Sequence, residues 1–223
     1  MKAPKDEFSS VRLLLLAFGL LSALILTLCL SSLLSLPPLV GRSLTDEEVR
    51  TVISRNSPLT EYVLLSPNAT FPREEPITKI TVHHMAGDLT LEELGEAFLQ
   101  RDRRASANYA IDSEGRVALY VEESDRAWTS SSADNDHRAV TIEVANDEIG
   151  GDWHVSDEAF ETLVALCTDI CRRSGMEALT YTGDADGSLT IHKMFHDTNC
   201  PGPYLESRMD DLANQVNLRL ALP

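Results

Sequence analysis

Two histidines and one cysteine carry the side chains in this sequence that are best suited to metal chemistry. His192 opens the stretch HKMFHDTNCPGPYL, and Cys200 lies eight residues further on, directly before a Pro-Gly-Pro sequence. His83 lies far upstream in ITKITVHHMAG. Imidazole nitrogens and thiolates are preferred zinc ligands, and a catalytic zinc uses three protein ligands and keeps a fourth position open for water. The three residues therefore predict a zinc hydrolase with one zinc ion per chain.

Two further histidines lie beside these residues and are weaker candidates. Adjacent strand residues point to opposite faces, so His83 shares the polar face with Thr81, and His84 is expected to pack or to form hydrogen bonds beneath it. A lone strand histidine is also commonly a structural residue, and periodicity alone leaves that alternative open. His196 is spaced like the second histidine of a helical zinc motif, but Lys193 occupies the place of that motif's glutamate. We therefore expect His196 to be exposed, or close to the ligands without being one of them.

The hydrophobic pattern predicts alternating strands and helices around these residues. Residues 77–84 alternate as a strand, and Thr90 with Glu93 forms a capping box for a helix that runs to about residue 104. The predicted elements that follow are a hairpin turning at Glu114-Gly115, a strand over AVTIEVAN, a helix from its N-cap Ser156 to about Ser174, a short strand at 179–182, the loop with the metal ligands, and a final helix over about 204–220. This order predicts an α/β domain with a central mixed β-sheet flanked by helices.

The N-terminal part predicts a membrane anchor followed by a linker. Residues 13–36 are apolar, small or hydroxylic, and as a helix at about 1.5 Å per residue they reach roughly 36 Å, more than a bilayer core of about 30 Å. Lys2, Lys5 and Arg12 precede this run. Their charge favours a cytoplasmic N-terminus, residues 1–12, and an extracytoplasmic remainder on a single-pass cell-membrane protein. The proline-rich residues 37–75 are predicted to be a stalk, and residues 76–223 the compact domain.

The charge of the chain excludes one class of partner. The sequence has 19 Lys and Arg against 35 Asp and Glu, a formal net charge of -16. Nucleic acid is excluded as a partner, because phosphate backbones are bound mainly through lysine and arginine. Cys167 and Cys171 fall on one face of a predicted helix, where buried free thiols, a disulfide and a second metal site are the alternatives. The sequence makes no prediction of the oligomeric state.

Four motifs in order resemble a known family. ITVHHMAG, SANYAIDSEGRVALYV, AWTSSSADNDHRAVTIEVAND and HKMFHDTNCPGPYL are similar to the zinc-dependent type 2 N-acetylmuramoyl-L-alanine amidases, which are related to phage amidase lysozymes and peptidoglycan recognition proteins. The resemblance covers residues 76–220. It implies a mixed sheet flanked by helices, a cleft above it, peptidoglycan as the partner, and one zinc held by His83, His192 and Cys200. Receptor members without hydrolytic activity often lose the cysteine, so Cys200 favours an active enzyme.

The resemblance and the chemistry of amide hydrolysis together assign four further residues. Zinc-bound water needs a base, and Glu143, on the polar face of its strand, matches a glutamate of active relatives; the alternative is a solvated carboxylate. Thr198 matches a position from which relatives donate to the developing oxyanion, with turn capping as the alternative. Asn108 lies beside the place of a tyrosine that some relatives use, and is a candidate for substrate contact. Trp128 is a candidate aromatic platform for substrate, or else a core residue.

The sequence thus predicts a membrane-anchored enzyme that hydrolyses the amide between N-acetylmuramic acid and L-alanine in peptidoglycan. Two alternatives stay open: a module that binds peptidoglycan without cutting it, and a zinc peptidase that acts within the stem peptide or on protein. The complete ligand set and Glu143 argue against the first alternative. The identity of the cleavage product would distinguish the second alternative, the peptidase, from the amidase.

Overall fold

The structure of the protein, a computed structural model, describes residues 39–222. The predicted cytoplasmic N-terminus and membrane anchor, residues 1–36, lie outside the described residues. Among the helices of residues 39–222, none has the length and hydropathy of a membrane-spanning segment.

Short strands and helices alternate along the described chain. The strands are β1 (Thr60–Val63), β2 (Ala69–Thr70), β3 (Lys79–His84), β4 (Tyr109–Ile111), β5 (Val117–Leu119), β6 (Arg126–Ala127), β7 (Ala139–Val144) and β8 (Leu189–Ile191). The helices are α1 (Asp46–Arg55), α2 (Leu91–Leu99), α3 (Ala133–Arg138), α4 (Asp157–Ser174), α5 (Gly202–Ser207) and α6 (Met209–Leu220). Short 3-10 helices lie after α2 at Arg101–Arg103 and after β8 at His192–Met194.

Six of the strands form one mixed sheet in the order β1-β5-β4-β7-β3-β8. Strands β4, β7, β3 and β8 are parallel to one another, β5 is antiparallel to β4, and β1 is parallel to β5. Strands β2 and β6 form a separate two-stranded ribbon. The predicted α/β class with a central mixed sheet is confirmed. The parallel arrangement brings the carboxyl ends of β7, β3 and β8 to one edge, where α/β proteins commonly bind ligands.

The two faces of the sheet carry different side chains. On one face, strand residues such as Ile80, Val82 and Ile142 pack with helix residues such as Leu163 and Leu212 in the main hydrophobic core. On the other face, helix α2 covers β4 and β5 through a smaller apolar cluster. The same face of β7, β3 and β8 is polar instead, with Thr81, His83, Thr141, Glu143 and Thr190. This polar part of the sheet carries the candidate site.

Capping residues fix the ends of two helices where the sequence predicts them. At α2, Thr90 Oγ1 accepts from the Glu93 N–H, and the Glu93 carboxylate accepts from the Thr90 N–H. At α4, Ser156 accepts from the Ala159 N–H, and Gly175 ends the helix at a φ of 71°, which costs glycine no steric strain. These bonds satisfy backbone groups that a helix end would otherwise leave unpaired.

Three predicted elements differ from the structure. The helix capped by Thr90 ends at Leu99, and a 3-10 helix covers part of the rest. The strand predicted at 179–182 is reduced to one bridge between Tyr181 and Leu189, whereas β8 lies in residues predicted to be loop. The predicted last helix is interrupted at Arg208, whose guanidinium lies 4.0 Å from the centre of the Phe160 ring. In the last two cases the structure shows a contact with a distant element, and such contacts can override the local pattern.

The predicted stalk, residues 37–75, belongs to the folded domain throughout its described part. Helix α1 places Val52 in the main core, and Leu65, just after β1, is buried there as well. Strand β1 pairs with β5 as an outer strand of the sheet. The stalk prediction is therefore wrong for residues 39–75, because the prolines separate short elements that pack, and the compact unit begins at Leu39.

Arg73 fastens the end of this segment to the sheet. Its guanidinium donates to five backbone carbonyl oxygens: those of Glu123, Asp125, His137 and Ala139 at 2.6 to 3.2 Å, and that of Asp136 at 3.4 Å. Burial lowers the pKa of Arg73 to about 10, although nearby carboxylates act in the opposite direction. One side chain thus connects the chain before β3 to the turns before β6 and β7.

Candidate metal centre

His83, His192 and Cys200 meet at the carboxyl edge of the sheet. His83 lies near the end of β3, His192 directly follows the neighbouring parallel strand β8, and Cys200 lies in the loop beyond it. One ligand atom from each residue lies within 4.8 Å of the other two. His83 Nδ1 is 3.6 Å from Cys200 Sγ, and the two imidazole centroids are 4.6 Å apart. The structure therefore brings all three predicted ligands together.

The arrangement of these side chains fits a zinc ion. With zinc–nitrogen distances of about 2.0 to 2.1 Å and a zinc–sulfur distance of about 2.3 Å, tetrahedral angles separate nitrogen and sulfur by about 3.5 Å. The observed separation of 3.6 Å is close to this value. Nε2 of His83 and Nε2 of His192 are both buried, and neither has a hydrogen-bond partner in residues 39–222. Buried polar atoms normally have a partner, so Nε2 of His192 fits the role of a metal ligand, whereas His83 faces the sulfur with Nδ1 and would bind through that atom.

Burial favours the neutral form of both imidazoles, which is the form that binds metals. Burial lowers the pKa of His83 well below its ordinary value, and burial also lowers the pKa of His192. Burial raises the pKa of the Cys200 thiol, and the Glu143 carboxylate raises it further. The His84 N–H acts in the opposite direction, because it donates to Cys200 Sγ at 3.4 Å. A divalent cation favours the thiolate strongly, so metal binding reverses the effect of burial on this thiol.

The loop between His192 and Cys200 is closed by hydrogen bonds of its own. The Lys193 N–H donates to the Cys200 carbonyl oxygen at 3.1 Å, and the Lys193 ammonium forms an ion pair with Glu206 at 2.8 Å. Thr198 Oγ1 accepts from the Cys200 N–H at 3.2 Å, so Thr198 caps this turn. Its hydroxyl proton forms no hydrogen bond with the part of the chain that the structure describes. Turn capping therefore does not exclude the predicted donation to a substrate.

Glu143 lies beside His83 on the neighbouring strand. The two residues are register partners in β7 and β3 and share the polar face. Glu143 is partly buried, and its Oε2 atom is shielded from solvent without a hydrogen-bond partner in the described chain. Burial raises the pKa of Glu143 to about 8, against a smaller lowering by Arg103. A carboxyl group that can exchange a proton thus adjoins the three candidate ligands.

His84 and His196 lie outside the group of converging ligand atoms. His84 packs edge to face against Trp153, with 5.3 Å between ring centroids, and burial lowers its pKa. His196 is exposed, and its ring lies nearly parallel to that of His192 with the centroids 6.0 Å apart. These positions agree with the sequence, which predicted packing for His84 and an exposed or neighbouring position for His196.

Asn108 is not accessible to a substrate. Its side chain is fully buried, Nδ2 donates to the Val121 carbonyl oxygen at 3.1 Å, and Oδ1 accepts from the Thr141 N–H at 3.1 Å. These two bonds connect the residue before β4 with β7 and with the chain after β5. The prediction of a substrate contact at Asn108 is wrong, because the interior backbone already uses both ends of its amide.

Trp128 lines a cavity of about 360 Å³ together with charged residues that the sequence analysis did not single out. The indole N–H donates to Thr70 Oγ1 at 2.9 Å, and the side chain is only partly buried. Arg104, Arg126 and Asp136 line the same cavity. The positive charge of Arg104 and Arg126 could have pointed to this cavity, because the chain is strongly acidic overall and basic residues near an aromatic residue stand out in it.

Two threonine hydroxyls connect the wall of this cavity to β7. Thr129 lines the cavity, and its hydroxyl lies 2.8 Å from the hydroxyl of Thr141. Thr141 precedes Glu143 by two residues in β7, so both side chains point to the polar face. One hydroxyl contact therefore connects the wall of this cavity to the strand that carries Glu143.

Fold and site together define an α/β protein with a candidate metal centre at the carboxyl edge of a mixed sheet. The sequence model for N-acetylmuramoyl-L-alanine amidases matches residues 73–203, more than half of the chain. The chain belongs to this family, and the protein is an N-acetylmuramoyl-L-alanine amidase enzyme. The match begins at Arg73 and contains the three candidate ligands and Glu143.

Several solved structures share this fold. PlyL is 16% identical with a TM-score of 0.56, and the match covers 70% of this chain and 95% of PlyL. AmpD is 17% identical with a TM-score of 0.54, covering 68% of this chain and 93% of AmpD. The endolysin N-acetylmuramoyl-L-alanine amidase LysCS from Clostridium intestinale URNW is 16% identical with a TM-score of 0.52, covering 70% and 97%. At these identities the likeness shows the fold alone. Among curated proteins, none matches the sequence.

Proposed function

We propose that the enzyme hydrolyses the amide bond between N-acetylmuramic acid and L-alanine in peptidoglycan, with zinc as its cofactor. The observation that carries this proposal is the convergence of His83, His192 and Cys200 within 4.8 Å, beside Glu143 on the next strand. Membership of the amidase family supports the reaction, and the nitrogen and sulfur donors support zinc over harder cations.

Each side chain has a distinct role in this proposal. A zinc ion held by the three ligands supplies Lewis acidity and lowers the pKa of a bound water. Glu143 takes up the proton of the attacking water and returns it to the departing amine of L-alanine. Thr198 donates its hydroxyl proton to the oxyanion that develops on the scissile carbonyl. Both groups are suited to these roles because neither Glu143 Oε2 nor the Thr198 hydroxyl proton is engaged by another group in residues 39–222.

Trp128 is proposed to contact the sugar or peptide of the substrate. Its indole N–H is held by Thr70, which fixes the ring plane while one side of the residue remains in contact with solvent. A partly exposed aromatic ring of fixed orientation is suited to stacking on an apolar surface of a ligand. The contact between Thr129 in the cavity wall and Thr141, two residues before Glu143 in β7, supports a substrate that reaches both this cavity and the candidate centre.

Digestion of purified peptidoglycan tests the proposed reaction through the masses of the products. The enzyme is expected to release stem peptides that begin with a free L-alanine amine, and chelation followed by added zinc should abolish and then restore this release. Glu143→Gln should retain zinc but lose about 10²- to 10⁴-fold in rate, as expected for loss of a general base. Glu148→Gln, the same change at an exposed residue of the next loop, should retain the activity.

Other outcomes of the digest distinguish the competing functions. Binding to peptidoglycan without any product would favour the non-catalytic module, and cleavage between stem-peptide residues would favour the peptidase. Release that is insensitive to chelation would refute the zinc mechanism.

We also propose that residues 13–36 anchor the enzyme in the cell membrane and leave its catalytic domain outside the cytoplasm. The length and apolar character of this run support a single span, and the preceding lysines and arginine support the orientation. The full chain should then fractionate with membranes after a high-salt and alkaline wash, and protease added to spheroplasts should cleave it. Recovery of the uncleaved chain in the soluble fraction would contradict this proposal.

A further inference from the structure

His84 contacts two loops around the candidate metal centre without offering a ligand atom to it. Its side chain is only 9% exposed and lies edge to face against Trp153 in the loop after β7. On another side lies Gly202, where an added Cβ would be 3.1 Å from His84 Nδ1 and 3.0 Å from Trp153 Cβ. The imidazole is thus held between the loop after β7 and the turn that follows Cys200.

The main chain of His84 contacts the cysteine directly. The His84 N–H donates to Cys200 Sγ at 3.4 Å. Gly202 lies two residues after this sulfur and has a φ of +86°, a conformation that side chains rarely adopt. His84 therefore contacts both ends of the segment from Cys200 to Gly202. Its main-chain N–H meets the Cys200 sulfur, and its ring lies against Gly202.

Asn146 connects the same residues to the loop after β3. Its Nδ2 donates to the Trp153 carbonyl oxygen at 2.8 Å, and its N–H donates to the Gly87 carbonyl oxygen at 3.0 Å. Asn146 Oδ1 and His84 Nδ1 are both buried and lack hydrogen-bond partners in the described part of the chain.

We propose that His84 is a positioning residue whose ring holds the turn at Cys200, and with it the sulfur, at the distance from His83 and His192 that metal binding requires. This inference rests on the proposed zinc function. Groups that support metal ligands from outside the coordination sphere typically contribute about 10- to 100-fold to metal affinity. The contribution of His84 is mechanical, because its ring packs against the turn and not against the ligand atoms.

The zinc affinity of the full-length chain, measured by competition with a chromophoric chelator, tests this role. His84→Ala is expected to weaken zinc binding by about 10- to 100-fold. His84→Asn, which retains a polar atom near the position of Nδ1, should cause a smaller loss. His196→Ala is the matched control, because it removes an exposed imidazole 6.0 Å from the His192 ring and should leave the affinity unchanged.

Cobalt(II) in place of zinc distinguishes positioning from a general loss of structure. Thiolate-to-cobalt charge-transfer absorption reports the bond to Cys200, whereas the ligand-field bands report the coordination geometry. At saturating cobalt, His84→Ala should show less charge-transfer absorption per bound ion than the parent, while the metal-free protein still unfolds cooperatively. If His84→Ala does not fold without metal, the same measurements on His84→Asn decide the question.

Two results would overturn the positioning role. One is a parent-like zinc affinity and cobalt spectrum in the folded His84 variants, and the other is an equal loss of affinity in His196→Ala. A parent chain that binds no zinc at all would instead remove the proposed zinc function, and the inference with it. The two failures are therefore distinguishable.

Discussion

Deleting residues 39–75 should unfold the domain, because this segment supplies an outer strand of the sheet and part of the core. Val52 is fully buried and Leu65 is 3% exposed, and burial of each contributes about 2 kcal/mol. The deletion also removes Arg73, which makes four hydrogen bonds of 3.2 Å or less to carbonyl oxygens, and each of these lost bonds costs about 1 kcal/mol. The total of about 8 kcal/mol is comparable with the whole stability of a typical domain, about 5 to 15 kcal/mol.

Thermal unfolding of metal-free residues 39–223 and 76–223, followed by circular dichroism, measures this effect. For a domain of this size, about 1 kcal/mol shifts the Tm by about 2 to 4 °C, so the shorter chain should melt at least about 16 °C lower or show no cooperative transition. Val52→Ala in the longer chain is a finer test, and Glu61→Ala, at an exposed position of the same segment, is its control. A shorter chain that melts within about 5 °C of the longer one would refute the reasoning.

Three further predictions concern single side chains. Asn108→Ala should lower the free energy of unfolding by about 2 kcal/mol in urea titrations, because it leaves buried backbone groups unpaired. A variant that loses enzyme activity with an unchanged free energy of unfolding would contradict this. Burial raises the pKa of Asp125 to about 6, above its value in the unfolded chain, so the charged carboxylate destabilises the folded state at neutral pH. Asp125→Asn should therefore raise the Tm at pH 7.5 by about 2 to 4 °C, and this gain should shrink as the pH falls through 6 toward 4; a gain independent of pH would contradict the assignment. Trp128→Ala should raise KM by about 2- to 10-fold with unchanged zinc affinity, and an unchanged KM would remove the substrate contact.

The sequence predicted those parts of the fold that depend on local signals. The capping box of Thr90 and Glu93 lies where its spacing indicated, and Ser156 and Gly175 bound helix α4 as predicted. A helix end is determined by a few adjacent residues, so it can be read from them. The alternation of strand residues also indicated that His83 and Glu143 both lie on the polar faces of their strands.

Features that depend on pairing between distant segments were not predictable in this way. Strand β1 is too short to be recognised alone, and its place in the sheet is set by pairing with β5 far along the chain. The sequence predicts a substrate contact at Asn108 because its position next to Tyr109 gives no information about the backbone groups that its amide meets. Those partners, Val121 and Thr141, belong to other parts of the sheet. The convergence of the candidate ligands was predictable from residue types and the family resemblance, but the register that sets Glu143 opposite His83 was not.

Strand β8 has three residues and lies at the border of the sheet, where it pairs with β3 and where one further bridge joins Leu189 to Tyr181. Two of the three candidate ligands, His192 and Cys200, follow this strand, while His83 belongs to the sheet interior. Fraying of that border would carry both ligands away together long before the core opens, since local opening requires less free energy than global unfolding. A metal bound both by His83 and by the two ligands after β8 would oppose this local opening, so catalytic competence and resistance to proteolysis at this border should rise and fall together.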